Sequence, residues 1–280
     1  MNTRAILSAC CLSLPVTLSL PLAGCISVST SGCSNMATVQ SARAMKVPHQ
    51  SNQSLRVSGD NGEISISQSS GSEVAIDATI KAQTQERADA VQVIAERGAT
   101  GELHVYTKWP EGKRRNNEGC SFVITVPDAS KLAINTSNGR ITVNGLAGEA
   151  DLRTSNGKII AENFSGNVRA ESSNGSIELT NVLGAQADTS NGRIEVALKD
   201  GASGPVDLES SNGGITLRVA STFAGDVDCK TSNGGVHCDI AGAQTVSQSR
   251  ARATYRLGTG GATSTLRTSN GGIQVSRAAN

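Results

Sequence analysis

The sequence predicts an all-β protein, a β-solenoid of the single-stranded β-helix type with coils of about 18 residues. A Thr/Ser-Ser-Asn-Gly tetrad recurs seven times, and apolar residues alternate with polar ones on both sides of it. The 280 residues include 30 glycines but only six aromatic residues, namely three Phe, two Tyr and one Trp. This composition is typical of short strands joined by frequent turns, rather than of helices packed around bulky side chains.

The tetrads define the repeat. When the Asn of each tetrad is the origin, successive copies are 18, 18, 17, 21, 21 and 37 residues apart, so the last interval corresponds to two periods. We expect Asn and Gly to supply the positive φ angles that a tight corner requires. The predicted corner pairs are Asn138–Gly139, Asn156–Gly157, Asn174–Gly175, Asn191–Gly192, Asn212–Gly213, Asn233–Gly234 and Asn270–Gly271.

The residues that flank each tetrad predict one strand on either side of the corner. Around Asn156, Leu152 and Thr154 precede the corner at alternate positions, and Ile159 and Ala161 follow it in the same way. A period of two places one face of each strand in a core and the other in solvent. In the first three coils a glycine follows ten residues after the Asn, and we assign these glycines to a second corner: Gly148, Gly166 and Gly184.

Two architectures fit such a unit. In an antiparallel β-meander, Asn-Gly forms a two-residue hairpin turn, and only those two residues need to recur. In a solenoid, identical residues of successive coils stack directly on one another and form ladders, so the whole corner is repeated. The intact recurrence of the tetrad favours the solenoid, and the preference for right-handed crossovers favours right-handed winding.

Other segments depart from the regular repeat. The stretch SLRVSGDNGEISIS has the same pattern around Asn61 and predicts a first coil that begins near residue 54. Residues 74–109 and 121–127 alternate over longer distances and predict longer strands, and residues 110–120 predict a polar loop. For the stretch QERADAV a helical turn is the alternative to a strand. Residues 241–263 interrupt the repeat with a predicted hairpin-like insertion, which would help to close an open end of the stack.

The N-terminal segment predicts export and lipid anchoring. An apolar stretch after Arg4 is too short to span a membrane, and it ends in Leu-Ala-Gly-Cys25, which resembles the bacterial lipobox. The resemblance implies that Cys25 is acylated, for example with palmitate, and that Ile26 directs the protein to the outer membrane. We therefore divide the chain into a lipoprotein signal peptide (1–24), a lipid-anchored tether (25–50) and a solenoid domain (51–280).

The charge of the mature chain is balanced. The full sequence has 25 Lys and Arg against 24 Asp and Glu, and removal of the signal takes away Arg4, its only charged residue. A neutral surface with few aromatic residues argues against nucleic acid as a partner. The run Lys113-Arg114-Arg115 is the one basic cluster, and the sequence alone favours a solvated loop over a phosphate or lipid contact.

Four cysteines follow Cys25. Thiols of exported proteins usually pair, and our hypothesis is a disulfide between Cys33 and Cys120, with Cys229 and Cys238 either bonded or filling the core. In a hairpin the last two would be close enough to bond, whereas the two walls of a solenoid are about 10 Å apart. His237 is adjacent to Cys238, but alternation points it outward, so a metal site is disfavoured and no cofactor is expected.

The segments LRVSGDNGEISI, FVITVPDASKLAINTSNGRITV and YRLGTGGATSTLRTSNGGI together resemble a bacterial family of unknown function whose members are provisionally named adhesins. The resemblance covers residues 50–280 and implies an envelope β-solenoid with an adhesive or surface role and no catalytic residues. We therefore expect a non-catalytic structural or adhesive surface for an envelope ligand. The alternatives are an envelope polysaccharide-acting enzyme on a β-helix and a self-assembling filament subunit.

Overall fold

The computed structural model describes residues 38–278, and nearly all of its regular structure is β-strand. The elements that precede the tetrad repeats are β1 (Val39–Pro48), β2 (Ser54–Ser58), β3 (Ile64–Gln68), β4 (Glu73–Ala82), α1 (Gln85–Ala90), β5 (Gln92–Arg97), β6 (Leu103–Lys108) and β7 (Gly119–Val126). A 3₁₀ turn, Pro110–Gly112, lies in the loop between β6 and β7.

The strands of the repeats follow in chain order. The first six of them are β8 (Lys131–Thr136), β9 (Ile141–Asn144), β10 (Ala147–Thr154), β11 (Ile159–Glu162), β12 (Ser165–Ser172) and β13 (Ile177–Val182). The next six are β14 (Gly184–Thr189), β15 (Ile194–Leu198), β16 (Asp207–Ser210), β17 (Ile215–Val219), β18 (Gly225–Thr231) and β19 (Val236–Asp239). The last four are β20 (Gln244–Gln248), β21 (Arg252–Leu257), β22 (Thr263–Thr268) and β23 (Ile273–Arg277).

Each coil contributes one strand to each of two sheets. Sheet A has the order β1-β4-β7-β3-β9-β11-β13-β15-β17-β23-β19, and sheet B has the order β20-β21-β18-β22-β16-β14-β12-β10-β8-β2-β6-β5. Strands of successive coils pair in parallel, as β9, β11 and β13 do in sheet A. The predicted solenoid is therefore confirmed, and the antiparallel meander is wrong for the repeats.

A column of isoleucines runs through the core along sheet A. Because each coil pairs in register with the next, the first core residue after every corner lies directly above its counterpart. Burying one such side chain contributes about 1.5–3 kcal/mol, so the column is a main source of stability. The stacked residues, all at most 2 % exposed, are Ile64, Ile141, Ile159, Ile177, Ile194, Ile215 and Ile273.

The last two coils are stacked out of chain order. The coil that contains Asn270 (β22 and β23) lies between the coil of Asn212 and the coil of Asn233. The interval of 37 residues therefore contains β19, the hairpin of β20 and β21, and β22, rather than two coils in series. In the hairpin, β20 pairs antiparallel with β21, which pairs antiparallel with β18 and closes that end of sheet B.

Antiparallel strands also close the N-terminal end of the stack. In sheet A, β4 pairs antiparallel with β7 and β1 covers β4; in sheet B, β5 pairs antiparallel with β6. The alternative of a helical turn is present as α1, where the Thr84 side chain accepts a hydrogen bond from the Arg87 backbone N–H. The predicted tether is too long, because Val39–Pro48 form β1 and pack Val39, Met45 and Val47 against the core.

A buried ion pair supports the loop between β6 and β7. The Arg87 Nε donates to the Glu118 carboxylate at 2.6 Å, and the two residues are 7 % and 0 % exposed. Burial raises the pKa of the Glu118 carboxyl, but the hydrogen bond from Arg87 and a backbone hydrogen bond from Arg115 outweigh it, and the pKa lies below its ordinary value. The carboxylate is therefore held in its charged form inside the fold.

Candidate functional site

The first residue of each tetrad is a buried hydroxyl that joins two coils. The Ser172 hydroxyl donates to the Gly157 carbonyl of the preceding coil at 3.1 Å and accepts a hydrogen bond from the Gly175 backbone N–H of its own corner at 2.9 Å. Thr154 donates in the same way to the Gly139 carbonyl at 3.0 Å. Thr and Ser are small residues whose hydroxyl can donate one hydrogen bond and accept another. This explains why the first position of the tetrad is never apolar. The residues that carry these hydroxyls are at most 6 % exposed: Thr136, Thr154, Ser172, Thr189, Ser210, Thr231 and Thr268.

The Asn residues form one continuous ladder along the corner. Each side-chain amide donates to the side-chain oxygen of the Asn in the neighbouring coil, at 2.5–2.9 Å. The ladder begins at Asn61, whose own amide donates to the Glu118 carbonyl at 3.1 Å. In spatial order its members are Asn61, Asn138, Asn156, Asn174, Asn191, Asn212, Asn270 and Asn233.

The tetrad glycines are required by close packing of the coils. A Cβ added at Gly157 would lie 1.8 Å from the Gly139 carbonyl oxygen, and one at Gly175 would lie 1.7 Å from the Gly157 oxygen. The same contact recurs, at 1.7–2.3 Å, for all seven tetrad glycines: Gly139, Gly157, Gly175, Gly192, Gly213, Gly234 and Gly271. No side chain fits between the backbones of neighbouring coils at this corner.

The prediction that tetrad Asn and Gly supply positive φ angles is wrong. Among residues 38–278, none of the fourteen predicted corner residues has a positive φ. Positive φ occurs instead at the second corner, at Gly145 (77°), Asn163 (52°) and Asn181 (58°). A second, shorter ladder lies there, in which Asn181 donates to Asn163 at 2.8 Å and Asn163 donates to Asn144 at 3.4 Å.

A shallow groove runs beside the Asn ladder on sheet B, and we name it the corner groove. It has a volume of about 300 Å³ and is lined by Asn135, Thr136, Arg153, Thr154, Ser155, Glu171, Ser172, Ser173, Asp188 and Ser190. The lining includes the exposed serines of three successive tetrads and three charged side chains. Arg153 is paired with Asp151 at 2.8 Å and with Glu171 at 3.2 Å. Burial, and then the charges of Glu171 and Asp207, raise the pKa of Asp188.

The cysteines present no reactive or metal-binding group in the described part of the chain. Cys120 and Cys229 are buried, which raises the pKa of each thiol to about 12, and Cys238 is half-buried; none of the three is bonded to another cysteine within residues 38–278. Cys229 and Cys238 lie in opposite sheets and are not bonded, so they have the core-filling role, and His237 is exposed. Residues 38–278 contain no cluster of three His, Cys, Asp or Glu that could hold a metal ion. Cys25 and Cys33 lie outside the described residues, so the Cys33–Cys120 pairing stays a prediction.

The whole described fold, from the first strand to the last coil, corresponds to a known sequence family. The profile described as Toastrack DUF4097 matches residues 26–276. The chain belongs to the Toastrack DUF4097 family. The resemblance drawn from the repeats is thereby confirmed, and so is the β-solenoid fold. A search of curated proteins finds no match. No helix between residues 38 and 278 has the length and apolar character needed to cross a membrane.

Several solved structures are similar to this Toastrack chain. A candidate adhesin from Bacteroides fragilis is 13% identical, with 84% of this chain and 97% of the other covered and a TM-score of 0.44. A candidate cell adhesion protein from Clostridium sporogenes is 11% identical, with 85% and 100% covered and a TM-score of 0.35. A candidate lipid-binding protein from Parabacteroides distasonis is 13% identical, with 85% and 97% covered and a TM-score of 0.36. These identities are too low to transfer a ligand or an activity.

The close contact between coils predicts that Gly157→Ala is strongly destabilising. The new Cβ would meet backbone atoms of Gly139, which cannot move without separating two coils, and we expect a loss of about 3 kcal/mol in the free energy of unfolding. Gly235→Ala is the matched control, because a Cβ there has no atom within 4 Å; we expect a change below about 0.5 kcal/mol. Urea denaturation of both variants measures the difference, and equal losses would contradict the close-packing argument.

The Asn ladder predicts a smaller effect for Asn174→Ala. The substitution removes one hydrogen bond to Asn156 and one from Asn191, so we expect a loss of about 1–2 kcal/mol in the free energy of unfolding. Ser173→Ala alters the exposed neighbour of Asn174 and is expected to change stability by less than about 0.5 kcal/mol. If urea denaturation gave the same midpoint for both variants and the parent protein, the ladder would have no role in stability.

Proposed function

We propose that this protein is held in the cell envelope by an acylated Cys25 and that its solenoid is a non-catalytic binding scaffold. The observation that carries the proposal is the use of every tetrad in mutual contacts between coils. Buried hydroxyls, Asn side chains and glycine backbones all contact the next coil, so the corner is rigid and repeats with the coil spacing of about 4.8 Å. Such a corner suits a scaffold that presents the same groups many times.

The anchoring part of the proposal rests on the sequence. The lipobox-like sequence Leu-Ala-Gly-Cys25 provides the acylation site, and two or three acyl chains hold a protein on a membrane durably where one does not. With β1 included in the fold, we assign residues 1–24 to the signal peptide, 25–37 to the tether and the remainder to the solenoid. Ile26 after the lipidated cysteine supports an outer-membrane location.

The corner groove is the surface that we assign to an envelope ligand. It offers exposed Ser hydroxyls at positions that recur with every coil, together with one cation, Arg153, and two carboxylates, Glu171 and Asp188. An extended ligand with hydrogen-bonding groups along its length would meet the same partners repeatedly. The groove lacks aromatic side chains among its lining residues, and its one cation, Arg153, is paired with Glu171.

Capture experiments test both parts of the proposal. The Cys25→Ser variant should lose membrane association after an alkaline carbonate wash, since the thiol carries the lipid. From envelope extracts, the parent protein should retain a ligand that Ser173→Trp, which fills the centre of the corner groove, loses. Ser211→Trp is the matched control, because Ser211 is an exposed tetrad serine outside the groove lining and should leave capture unchanged.

Two results would contradict the proposal. Retention of the Cys25→Ser variant on carbonate-washed membranes would remove lipid anchoring through this residue. Equal capture by Ser173→Trp and Ser211→Trp would remove the corner groove as the binding surface. Unfolding midpoints of both Trp variants should match that of the parent protein, so that a loss of capture is a loss of binding.

A second candidate function is self-association through the free end of sheet A. The two sheets have four edge strands. Three of them, β1, β5 and β20, pair antiparallel with their neighbours. The fourth, β19, pairs in parallel and only with β23 in the described part of the chain. Val236 and Cys238 of this strand are half-buried, and an exposed edge strand is a template for pairing with another chain.

Light scattering of the delipidated protein at increasing concentration tests this candidate. Association through β19 should increase the mean particle mass, and His237→Lys should reduce the increase because a charged side chain on an edge strand opposes pairing with another chain. His237 is exposed, so the monomer should tolerate the substitution. A particle mass that does not change with concentration would eliminate self-association.

A further inference from the structure

The chain enters the folded domain beside the loop between β6 and β7. Twelve residues separate Cys25 from Thr38, the first described residue, and they span at most about 40 Å when extended. Val39 pairs with Ala82 at the start of β1, and the next residue, Gln83, donates from its side chain to the Asn116 carbonyl of the loop at 3.3 Å. The start of β1 and the loop therefore meet at one corner of the N-terminal end of the stack.

This corner carries four cationic side chains. Lys113, Arg114 and Arg115 lie in the loop, and Lys81 lies on β4 opposite Gly119, where the loop rejoins sheet A. We name these four residues the basic corner. Lys81 and Thr38 also line one open depression of about 440 Å³. Lys81 and the start of the described chain are therefore parts of a single surface.

The positive charge of the basic corner is incompletely neutralised. Within residues 38–278, Lys81 and Lys113 have no carboxylate oxygen within 4 Å, so neither forms an ion pair. The guanidinium groups of Arg114 and Arg115 form only long ion pairs, each at 3.9 Å, with the carboxylates of Asp60 and Glu111. Four cations thus face two carboxylates at this corner.

The buried ion pair fixes the loop that carries these cations. Besides its bond to Glu118, Arg87 donates to the Lys113 carbonyl at 2.6 Å. The Glu118 carboxylate accepts from the Arg115 backbone N–H at 2.8 Å, and the Glu118 carbonyl accepts from the Arg114 side chain at 3.0 Å. An apolar pair of similar volume would stabilise the fold about as well. The ion pair and these hydrogen bonds hold the backbone of the three consecutive cationic residues, Lys113 to Arg115, in one conformation.

We propose that the basic corner binds the anionic headgroups of the membrane that holds the lipid anchor. The inference rests on the proposed acylation of Cys25, which would place this end of the stack within reach of the bilayer. Cationic side chains close to an anionic membrane surface are attracted to it over about a Debye length. Docking at this corner would direct the coils, the corner groove and the free β19 edge away from the membrane.

The single tryptophan of the chain provides the test. Trp109 precedes the basic loop by a few residues and is buried, so its fluorescence reports the distance of this corner from labelled lipids. The lipidated protein is placed in vesicles that contain a dansyl-headgroup lipid, either in phosphatidylcholine alone or in phosphatidylcholine mixed with phosphatidylglycerol. Energy transfer from Trp109 to dansyl should be greater on the anionic vesicles and should fall to the neutral level in high salt.

Neutralising variants assign the effect to the basic corner. Lys113→Gln combined with Arg115→Gln removes two charges, which should lower the ratio of docked to undocked protein about 30-fold. Lys230→Gln combined with Arg267→Gln removes the same charge from exposed positions of the last coils and should leave energy transfer unchanged. The unfolding midpoints of both double variants should match that of the parent protein.

The outcomes separate this inference from the anchoring proposal. A protein that does not float with neutral vesicles would contradict acylation of Cys25, whatever the charge of the lipids. A protein that floats with both vesicle types but shows equal energy transfer on them would overturn the basic corner alone. An anionic effect that persists in the Lys113→Gln/Arg115→Gln variant, or disappears in the Lys230→Gln/Arg267→Gln control, would also overturn it.

Discussion

The approach of successive backbones at the tetrad glycines is the constraint on which the rest of the structure depends. The carbonyl oxygen of Gly139 occupies the position that a Cβ of Gly157 would need, and the same contact recurs in each later coil. Because the coils touch at this corner, the Ser172 hydroxyl can bond its own coil and the preceding one, and Asn side chains are close enough to form a ladder. A solenoid with a wider corner would lose both sets of hydrogen bonds.

The two ends of the solenoid differ in structure from its parallel coils. Parallel coils leave strand edges exposed, and antiparallel strands cover three of the four. At the C-terminal end, Asp226 and Asp228 on β18 each form a two-fold hydrogen-bonded pair with Arg256 and Arg252 on β21, which fixes the covering hairpin. At the N-terminal end the buried Arg87–Glu118 pair fixes a loop rather than a strand. The two ends therefore differ in chemistry, although the coils between them are alike.

This difference gives the molecule a direction. The repeated corner offers equivalent groups along the stack, whereas the cations near the tether occur only at one end of the described structure, and the β19 edge lies at the other. A difference between the two ends suits the proposed envelope scaffold, because it allows one end to face the membrane while the ligand-binding surface is held away from it. The proposed roles of the basic corner and the corner groove are consistent with this arrangement.

The period of the repeat and the inward or outward direction of its side chains were determined by the sequence alone, because alternation is a local property of a strand. For the same reason Asn61 and its flanking residues were sufficient to predict the first coil. The reason for the tetrad glycines was not predictable, since the carbonyl that excludes a Cβ belongs to another coil. The inclusion of β1, the insertion of the Asn270 coil and the meeting of Arg87 with Glu118, which are 31 residues apart, are likewise long-range. Only the tertiary structure decided them, because each depends on which strand edge or charged group remains unpaired once the coils have stacked.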